Sequence, residues 1–146
     1  PDVPVLEYAG FTKIVHPDGY DTAGIVQLSY TDGDGDLGLE EFDTTAYNFF
    51  VAYYKMNNGV LEVGRRYNNQ TGEWDTIHFN NRFNRLAPED YSGWIKGTIE
   101  DTIQPLFDPR SEKTQDTVQF RIHMIDQAGH SSDTVVTPMI IVRNPL

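Results

Sequence analysis

Regular alternation of apolar and polar side chains restricts the fold of this chain more than any other feature of its sequence. Residues 118–124 (VQFRIHM) are apolar at every second position, which predicts a strand with one buried face. Residues 24–31 (GIVQLSYT) show a similar pattern. Residues 47–56 (YNFFVAYYKM) are aromatic on both faces, which is typical of a central strand that is covered on both sides.

Turn signals divide much of the remaining sequence into further short strands. Residues 60–67 follow the Asn-Asn-Gly turn at 57–59 and should pair back as a hairpin. In residues 95–103 (IKGTIEDTI) isoleucines four apart fit a helix or a strand, but the glycine and threonines favour a strand. The last strand, residues 136–142, is interrupted by Pro138, so it should lie at a sheet edge or carry a bulge.

About seven short strands and no convincing amphipathic helix indicate the fold class. We predict one all-β domain over residues 1–146, an immunoglobulin-like β-sandwich. A jelly-roll β-sandwich is the alternative, because the number of strands does not separate the two arrangements.

Composition excludes several classes of partner and site. With 22 acidic against 11 basic residues the formal charge is −11, which disfavours nucleic acid and anionic lipid as partners. The absence of cysteine excludes disulfides, thiolate zinc sites and cysteine nucleophiles. No apolar run approaches the roughly 20 residues that cross a bilayer, so we expect no membrane contact by this domain itself.

Catalytic motifs are missing from the sequence. There is no G-x-S-x-G elbow, and the four histidines have no H-E-x-x-H or other close metal-binding spacing. Carboxylates are plentiful, but a hydrolase pair is defined by a separation in space that the sequence does not give. We therefore predict a binding or structural module that is not an enzyme. A glycan-processing enzyme, or an accessory domain of one, is the alternative.

An acidic loop follows the strand at residues 24–31. Asp32, Asp34 and Asp36 alternate with glycine, the spacing by which calcium loops place oxygens around the ion. The loop is not an EF-hand, because Leu37 occupies the sixth position, where glycine is required. A solvated turn is the alternative interpretation.

The fold prediction adds a fourth carboxylate to this loop. If residues 24–31 and 117–125 are the second and sixth strands of an immunoglobulin sandwich, their following loops lie at the same end. Asp126 would then lie close to Asp32, Asp34 and Asp36. The sequence therefore predicts a calcium site formed by some of these aspartates, and no other cofactor.

Two tryptophans are the candidate ligand-binding residues. Trp74 and Trp94 could form a flat platform for the apolar faces of a sugar, as could tyrosines such as Tyr53, Tyr54 and Tyr67. The alternative is that they are partly buried core or sheet-edge residues. The predicted ligand is a glycan or a protein: exposed, coplanar tryptophans would favour a glycan, and a flat apolar patch or an open edge strand would favour a protein.

Two segments of the chain resemble a known group of proteins. Residues 28–39 (LSYTDGDGDLGL) and 122–142 (IHMIDQAGHSSDTVVTPMIIV) resemble envelope lipoproteins of Bacteroidetes-type bacteria, in which a DGDGDIG-like loop and a D-x-AGN-x-S turn recur within an immunoglobulin-like domain. His130 stands where that pattern usually has asparagine. The resemblance implies location and fold but no activity. It implies the periplasm or the cell surface, with a lipid anchor through an N-terminal segment outside this sequence.

Asp-Thr pairs form a recurrent pattern in the chain. Each of the six is followed by Ala, Thr, Ile or Val, which matches the Asp-Ser/Thr-aliphatic O-glycosylation signal of envelope proteins in such bacteria. The alternative is structural, because Asp often ends a turn and Thr with a β-branched residue often begins a strand. The candidate modification sites are Thr22, Thr44, Thr76, Thr102, Thr117 and Thr134.

Overall fold

The computed structural model describes residues 3–33, 47–83 and 94–145, and these residues form an all-β fold. The strands in this part of the chain are β1 (Val5–Val15), β2 (Asp21–Asp32), β3 (Phe49–Asn57), β4 (Val60–Val63), β5 (Arg65–Asn68), β6 (Glu73–Thr76), β7 (Ile95–Ile103), β8 (Gln115–Met124), β9 (Val135–Val136) and β10 (Ile140–Arg143).

The strands form two antiparallel sheets and a separate hairpin. One sheet has the order β1-β2-β7, and the other has the order β10-β8-β3-β4, with β9 also paired to β8. Strands β5 and β6 pair only with each other. This order is that of an immunoglobulin sandwich, in which strands A, B and E face strands G, F and C. The predicted β-sandwich is confirmed, and its strand order favours the immunoglobulin-like arrangement over the jelly roll.

The last predicted strand is divided at Pro138, as expected. Strands β9 and β10 lie on either side of this proline and both pair with β8, at the edge of the sheet. Proline has no N–H to donate to a ladder, so it is confined to edges and irregular positions. Thr137 bridges the break, because its N–H donates to the Phe120 carbonyl at 3.0 Å and its hydroxyl accepts from the Phe120 N–H at 3.0 Å.

The hairpin predicted after β3 forms, but its second strand is short. Asn58 and Gly59 have φ angles of 51° and 81°, the left-handed pair that a two-residue hairpin turn requires. The chain leaves the sheet after Gly64, whose N–H donates to the Tyr53 carbonyl at 2.8 Å. Gly64 packs directly against Tyr53, because a Cβ there would lie 2.1 Å from the ring. The predicted strand over residues 60–67 is therefore split into β4 and β5.

The core lies between the sheets and is built mainly from β2, β3, β7 and β8. The inward side chains of β3 are buried, including Phe49 and Val51. Its outward side chains are only half buried, with Phe50 stacked on His123 at 4.9 Å between ring centroids. The prediction that this strand is covered on both sides is therefore wrong for the outward face, which is only half buried. Side chains of the neighbouring strand cover that face in part.

Strands β2 and β8 run in the same direction in facing sheets. The Leu6 N–H contacts Asp133 Oδ1 at 3.3 Å, and farther along β1 Lys13 Nζ contacts the Ile141 carbonyl at 2.6 Å. Strand β1 is thus parallel to the β9–β10 segment, while β1 is antiparallel to β2 and β9–β10 is antiparallel to β8. The last residues of β2 and β8, Asp32 and Met124, therefore lie at one end of the sandwich, here called the Asp32 end.

A buried carboxyl group links β7 to the segment at Asn81, which forms an isolated bridge with Phe49 of β3. Asp101 points inward from β7 and is 3% exposed; its Oδ1 accepts a hydrogen bond from Asn81 Nδ2 at 2.8 Å. Its Oδ2 has no hydrogen-bond partner in the described part of the chain. Burial raises the pKa of Asp101, and the hydrogen bond from Asn81 offsets only part of this effect.

This environment predicts a pH-dependent effect of Asp101→Asn. Because the pKa of Asp101 is higher in the folded state than in the unfolded state, its contribution to stability is fully present below the unfolded pKa and is lost as pH rises through the folded pKa. We expect Asp101→Asn to raise the free energy of unfolding at pH 7 by about 1–3 kcal/mol, and the gain to shrink towards pH 4. Urea unfolding of both proteins at several pH values measures this difference, and a loss of stability at pH 7 would contradict it.

Candidate functional site

A groove lies over Tyr53, between the β5–β6 hairpin and the loop of residues 104–114. It consists of two adjoining clefts of about 440 Å³ and 650 Å³ that share Tyr53, Ile77 and Asp108. Each cleft is within the size range of small-ligand sites. The groove is at the end of the sandwich opposite the Asp32 end, and we call it the Tyr53 groove.

The β5–β6 hairpin forms one wall of the groove and carries Trp74. In its register Tyr67 lies opposite Trp74 and Arg65 lies opposite Thr76, so all four side chains share one face. The rings of Tyr67 and Trp74 meet edge to face at 5.4 Å between centroids. Trp74 remains 66% exposed. The hairpin therefore presents an aromatic pair at the rim of the groove.

The turn of this hairpin is held by its own side chains. Asn68 Oδ1 accepts hydrogen bonds from the N–H groups of Gln70 at 2.9 Å and Thr71 at 3.3 Å, and Asn68 Nδ2 donates to Asp75 Oδ2 at 3.0 Å. Gly72 has a φ angle of 74°, which glycine adopts without strain. These bonds fix the turn, so Trp74 is carried on an ordered element.

The opposite wall is the loop after β7, which is anchored at two points. The Leu106 side chain is buried, and its N–H donates to the Thr22 carbonyl at 3.0 Å. Asp108 Oδ1 accepts from the Arg110 N–H at 3.0 Å, and Asp108 Oδ2 accepts from Lys55 Nζ at 3.1 Å. The second contact joins the loop to β3, so this wall of the groove is fixed relative to its floor.

Two ionisable groups under the groove have shifted pKa values. Burial alone would raise the pKa of Asp108, but the Arg110 N–H and the Lys55 ammonium outweigh it and hold that pKa below its ordinary value. Burial, with the charges of Asp108 and Asp116, raises the pKa of Tyr53 well above its ordinary value. At neutral pH Tyr53 therefore keeps a neutral hydroxyl, while Asp108 stays ionised and is a poor general acid.

The two tryptophans predicted as ligand-binding residues are both exposed but lie apart. Trp74 borders the groove beside Asp108, whereas Trp94 immediately precedes β7, whose first residue pairs with Asp32. Lys96 Nζ lies 5.6 Å from the centroid of the Trp94 ring. The tryptophans are thus at opposite ends of the sandwich and do not form one platform, because spacing in the sequence gave no information about their separation in space.

The predicted metal ligands can be placed only in part. Asp32 is fully buried at the end of β2, and Asp126 is buried just after β8, at the same end of the sandwich. Asp126 accepts from the His130 N–H at 2.7 Å and contacts His130 Nδ1 at 3.1 Å, so it closes its own turn. Asp34 and Asp36 lie outside the described residues. No group of three metal-ligating side chains occurs in ranges 3–33, 47–83 and 94–145, and the calcium site stays a prediction.

The candidate modification sites differ in accessibility. Thr76, Thr102 and Thr134 are exposed, whereas Thr22 and Thr117 are half buried and Thr44 lies outside the described residues. The Thr22 hydroxyl also donates to the Ile14 carbonyl at 2.8 Å. If the Asp-Thr signal is used after folding, the three exposed threonines are the accessible acceptors.

Sequence reasoning missed most of the charged residues of the groove. Arg66 and Arg110 line the smaller cleft, and Lys55 lines the larger one. The one signal available was the Arg65-Arg66 pair beside an aromatic residue, in a chain with only 11 basic residues. The link to Arg110 depends on tertiary structure.

Comparison with known proteins found no relative of this chain. No family model, curated protein or solved structure matches the chain. No helix in the described ranges has the length and apolar character needed to cross a membrane.

Proposed function

We propose that this domain is a non-catalytic glycan-binding module and that the Tyr53 groove is its binding site. The observation that carries the proposal is the position of Trp74, which is 66% exposed and held edge to face against Tyr67 at the rim of a groove. Burying an exposed aromatic ring against the apolar face of a sugar is favourable, because it removes apolar surface from water.

The polar groups that line the two clefts match the other surfaces of a sugar. Tyr53 offers a neutral hydroxyl, while Arg65 and Arg66 offer N–H donors from the two faces of the hairpin. A ligand site of this kind combines an apolar surface with a few polar groups that set orientation. A flat protein interface is supported less well, because the exposed aromatic ring borders a concave surface.

A hydrolase is the alternative function. The positions of the carboxyl groups support it less than they support a non-catalytic binding module. A glycan hydrolase requires a carboxyl group with a raised pKa beside the scissile bond. Burial raises the pKa of Asp101, but this residue lies between the sheets and does not line either cleft. Asp108 does line the groove, and its pKa is lowered.

The proposal agrees with the location expected from the sequence. A small sandwich that is lipid-anchored in the periplasm or at the cell surface would present the groove to extracellular or periplasmic glycans. The exposed threonines, if modified, would add glycans to the domain itself. A calcium ion at the Asp32 end would bind at the end of the sandwich opposite the groove.

Trp74→Ala tests the proposal. A glycan array identifies ligands of the wild-type domain, and titration calorimetry then gives their affinities. We expect Trp74→Ala to weaken binding at least about tenfold, which corresponds to about 1.4 kcal/mol. The melting temperature should change little, because the side chain is exposed.

Trp94→Ala is the matched control, because Trp94 is also exposed but lies at the Asp32 end. It should leave the affinity unchanged. Equal losses of affinity in the two variants would contradict the proposed site. An array without any ligand would contradict the proposed function.

A further inference from the structure

We infer that the Tyr53 groove selects anionic glycans, whose sugars carry carboxylate or sulfate groups. This inference rests on the proposed function and names the ligand class for the same site. It follows from the charge of the groove lining, which is net positive although the chain as a whole is acidic.

The charge of the groove is opposite in sign to that of the chain. The whole sequence has 11 basic and 22 acidic residues. The residues that line the two clefts include four basic side chains and two acidic ones, so four of the 11 basic residues border this one surface. They are Lys55, Arg65, Arg66 and Arg110, with Glu62 and Asp108 as the acids.

The acidic side chains of the groove are already engaged by protein groups. Asp108 Oδ2 lies 3.1 Å from Lys55 Nζ, and Asp108 Oδ1 lies 3.4 Å from Arg110 Nε. Glu62 accepts a hydrogen bond from Asn57 Nδ2 at 3.2 Å. Lys55 also reaches Asp116 at 3.4 Å, so this lysine is committed to the protein. The arginines are the cations left to meet a ligand.

Arg66 and Arg110 line the smaller cleft together. Arg66 is exposed and has no ion pair with any residue in the described part of the chain. Its cross-strand neighbour Asp75 accepts a hydrogen bond from Asn68 instead. The Arg110 side chain is 49% exposed, and its one ion pair in the described structure, to Asp108, uses Nε. A guanidinium group binds carboxylate or sulfate through two parallel N–H donors, which a neutral sugar hydroxyl does not match.

The net negative charge of the whole chain repels anionic ligands, but this repulsion acts at longer range. At physiological ionic strength the Debye length is about 8 Å, so the net charge of the protein is largely screened beyond that distance. The arginines act at contact distance, where screening is weak. Local charge therefore determines which glycan is selected, and Trp74 supplies a contact that both neutral and anionic sugars share.

The test compares two probes that differ in charge and little else. Oligogalacturonate carries a carboxylate on each sugar, and its methyl ester has nearly the same shape without the charge. A heparin-derived oligosaccharide is the third probe and supplies sulfate. We expect at least about tenfold tighter binding of one or both anionic probes than of the ester, measured by titration calorimetry with the whole chain. The anionic probe that binds more tightly identifies carboxylate or sulfate as the preferred group.

Variants assign this preference to the groove. Arg66→Gln combined with Arg110→Gln should abolish the difference between the best anionic probe and the ester. Lys96→Gln, which removes an exposed positive charge at the Asp32 end, should preserve it. Melting temperatures of the variants confirm that the fold is kept.

Three outcomes overturn the inference and are distinguishable from failure of the proposed function. If the ester binds as tightly as the acid, or if Lys96→Gln abolishes the preference as fully as the arginine variant, the groove does not select for charge. If a neutral glycan from the array binds through Trp74 and the anionic probes do not, the inference fails and the proposed function stands. If no glycan binds at all, both fail.

Discussion

Replacing Phe120 with alanine is expected to lower the free energy of unfolding by about 3–5 kcal/mol. The side chain is fully buried in β8, and its ring lies 6.0 Å from Phe11, 5.8 Å from Tyr53 and 6.2 Å from Phe79. Removing it leaves a cavity between the sheets, and the aromatic rings around it lose a packing partner. Urea unfolding followed by tryptophan fluorescence measures the change.

Phe50→Ala is the matched control, because it removes the same side chain from the outward face of β3. Phe50 is half buried and stacks on His123 at 4.9 Å. Its replacement by alanine should lower the free energy of unfolding by about 1–2 kcal/mol. Equal costs for the two variants would contradict the assignment of inward and outward faces.

Gly64→Ala is expected to lower the free energy of unfolding by about 1–3 kcal/mol. It should also weaken ligand binding. A Cβ at this position would lie 2.1 Å from Cδ1 and 2.6 Å from Cε1 of the Tyr53 ring. The ring has little room to move, since it packs at 5.9 Å from Phe79 and 5.8 Å from Phe120. The backbone or the floor of the groove must therefore shift. Thermal unfolding and titration with the glycan found on the array measure the two effects.

Gly10→Ala separates this clash from the general effect of replacing a glycine. A Cβ at Gly10 would lie 2.7 Å from Gln27 Oε1, which is the end of a flexible side chain and is able to rotate away. We expect a change within about 0.5 kcal/mol, as at other surface sites. If Gly64→Ala changed the free energy of unfolding equally little, Gly64 would not be what positions Tyr53 at the floor of the groove.

The sequence predicted those parts of the fold in which local pattern and burial coincide. Strands β2 and β8 alternate clearly, because one face of each lies in the core. Strand β1 was not predicted, since in its 11 residues Leu6 is the one fully buried side chain and no alternation marks its buried face. Pro138 predicted the break between β9 and β10, because its effect on a strand is local.

The candidate site was predicted less completely, for a physical reason. Trp74 was identified by its residue type, but its separation from Trp94 is set by strand order, which the sequence did not give. Asp108 and Arg110 reach the groove because the loop after β7 folds back onto Lys55. Contacts between segments so distant in sequence have no periodic signature.

Mapping a bound glycan onto the backbone tests whether the Tyr53 groove is the glycan-binding site. In ¹⁵N-labelled protein titrated with the tightest-binding oligosaccharide, we expect the largest amide shift changes in the β5–β6 hairpin and in residues 104–110, together with a shift of the Trp74 indole N–H. The Trp94 indole N–H serves as the internal reference at the Asp32 end. Shift changes centred on Trp94 and on Asp126, with the Trp74 signal unmoved, would contradict glycan binding in the Tyr53 groove.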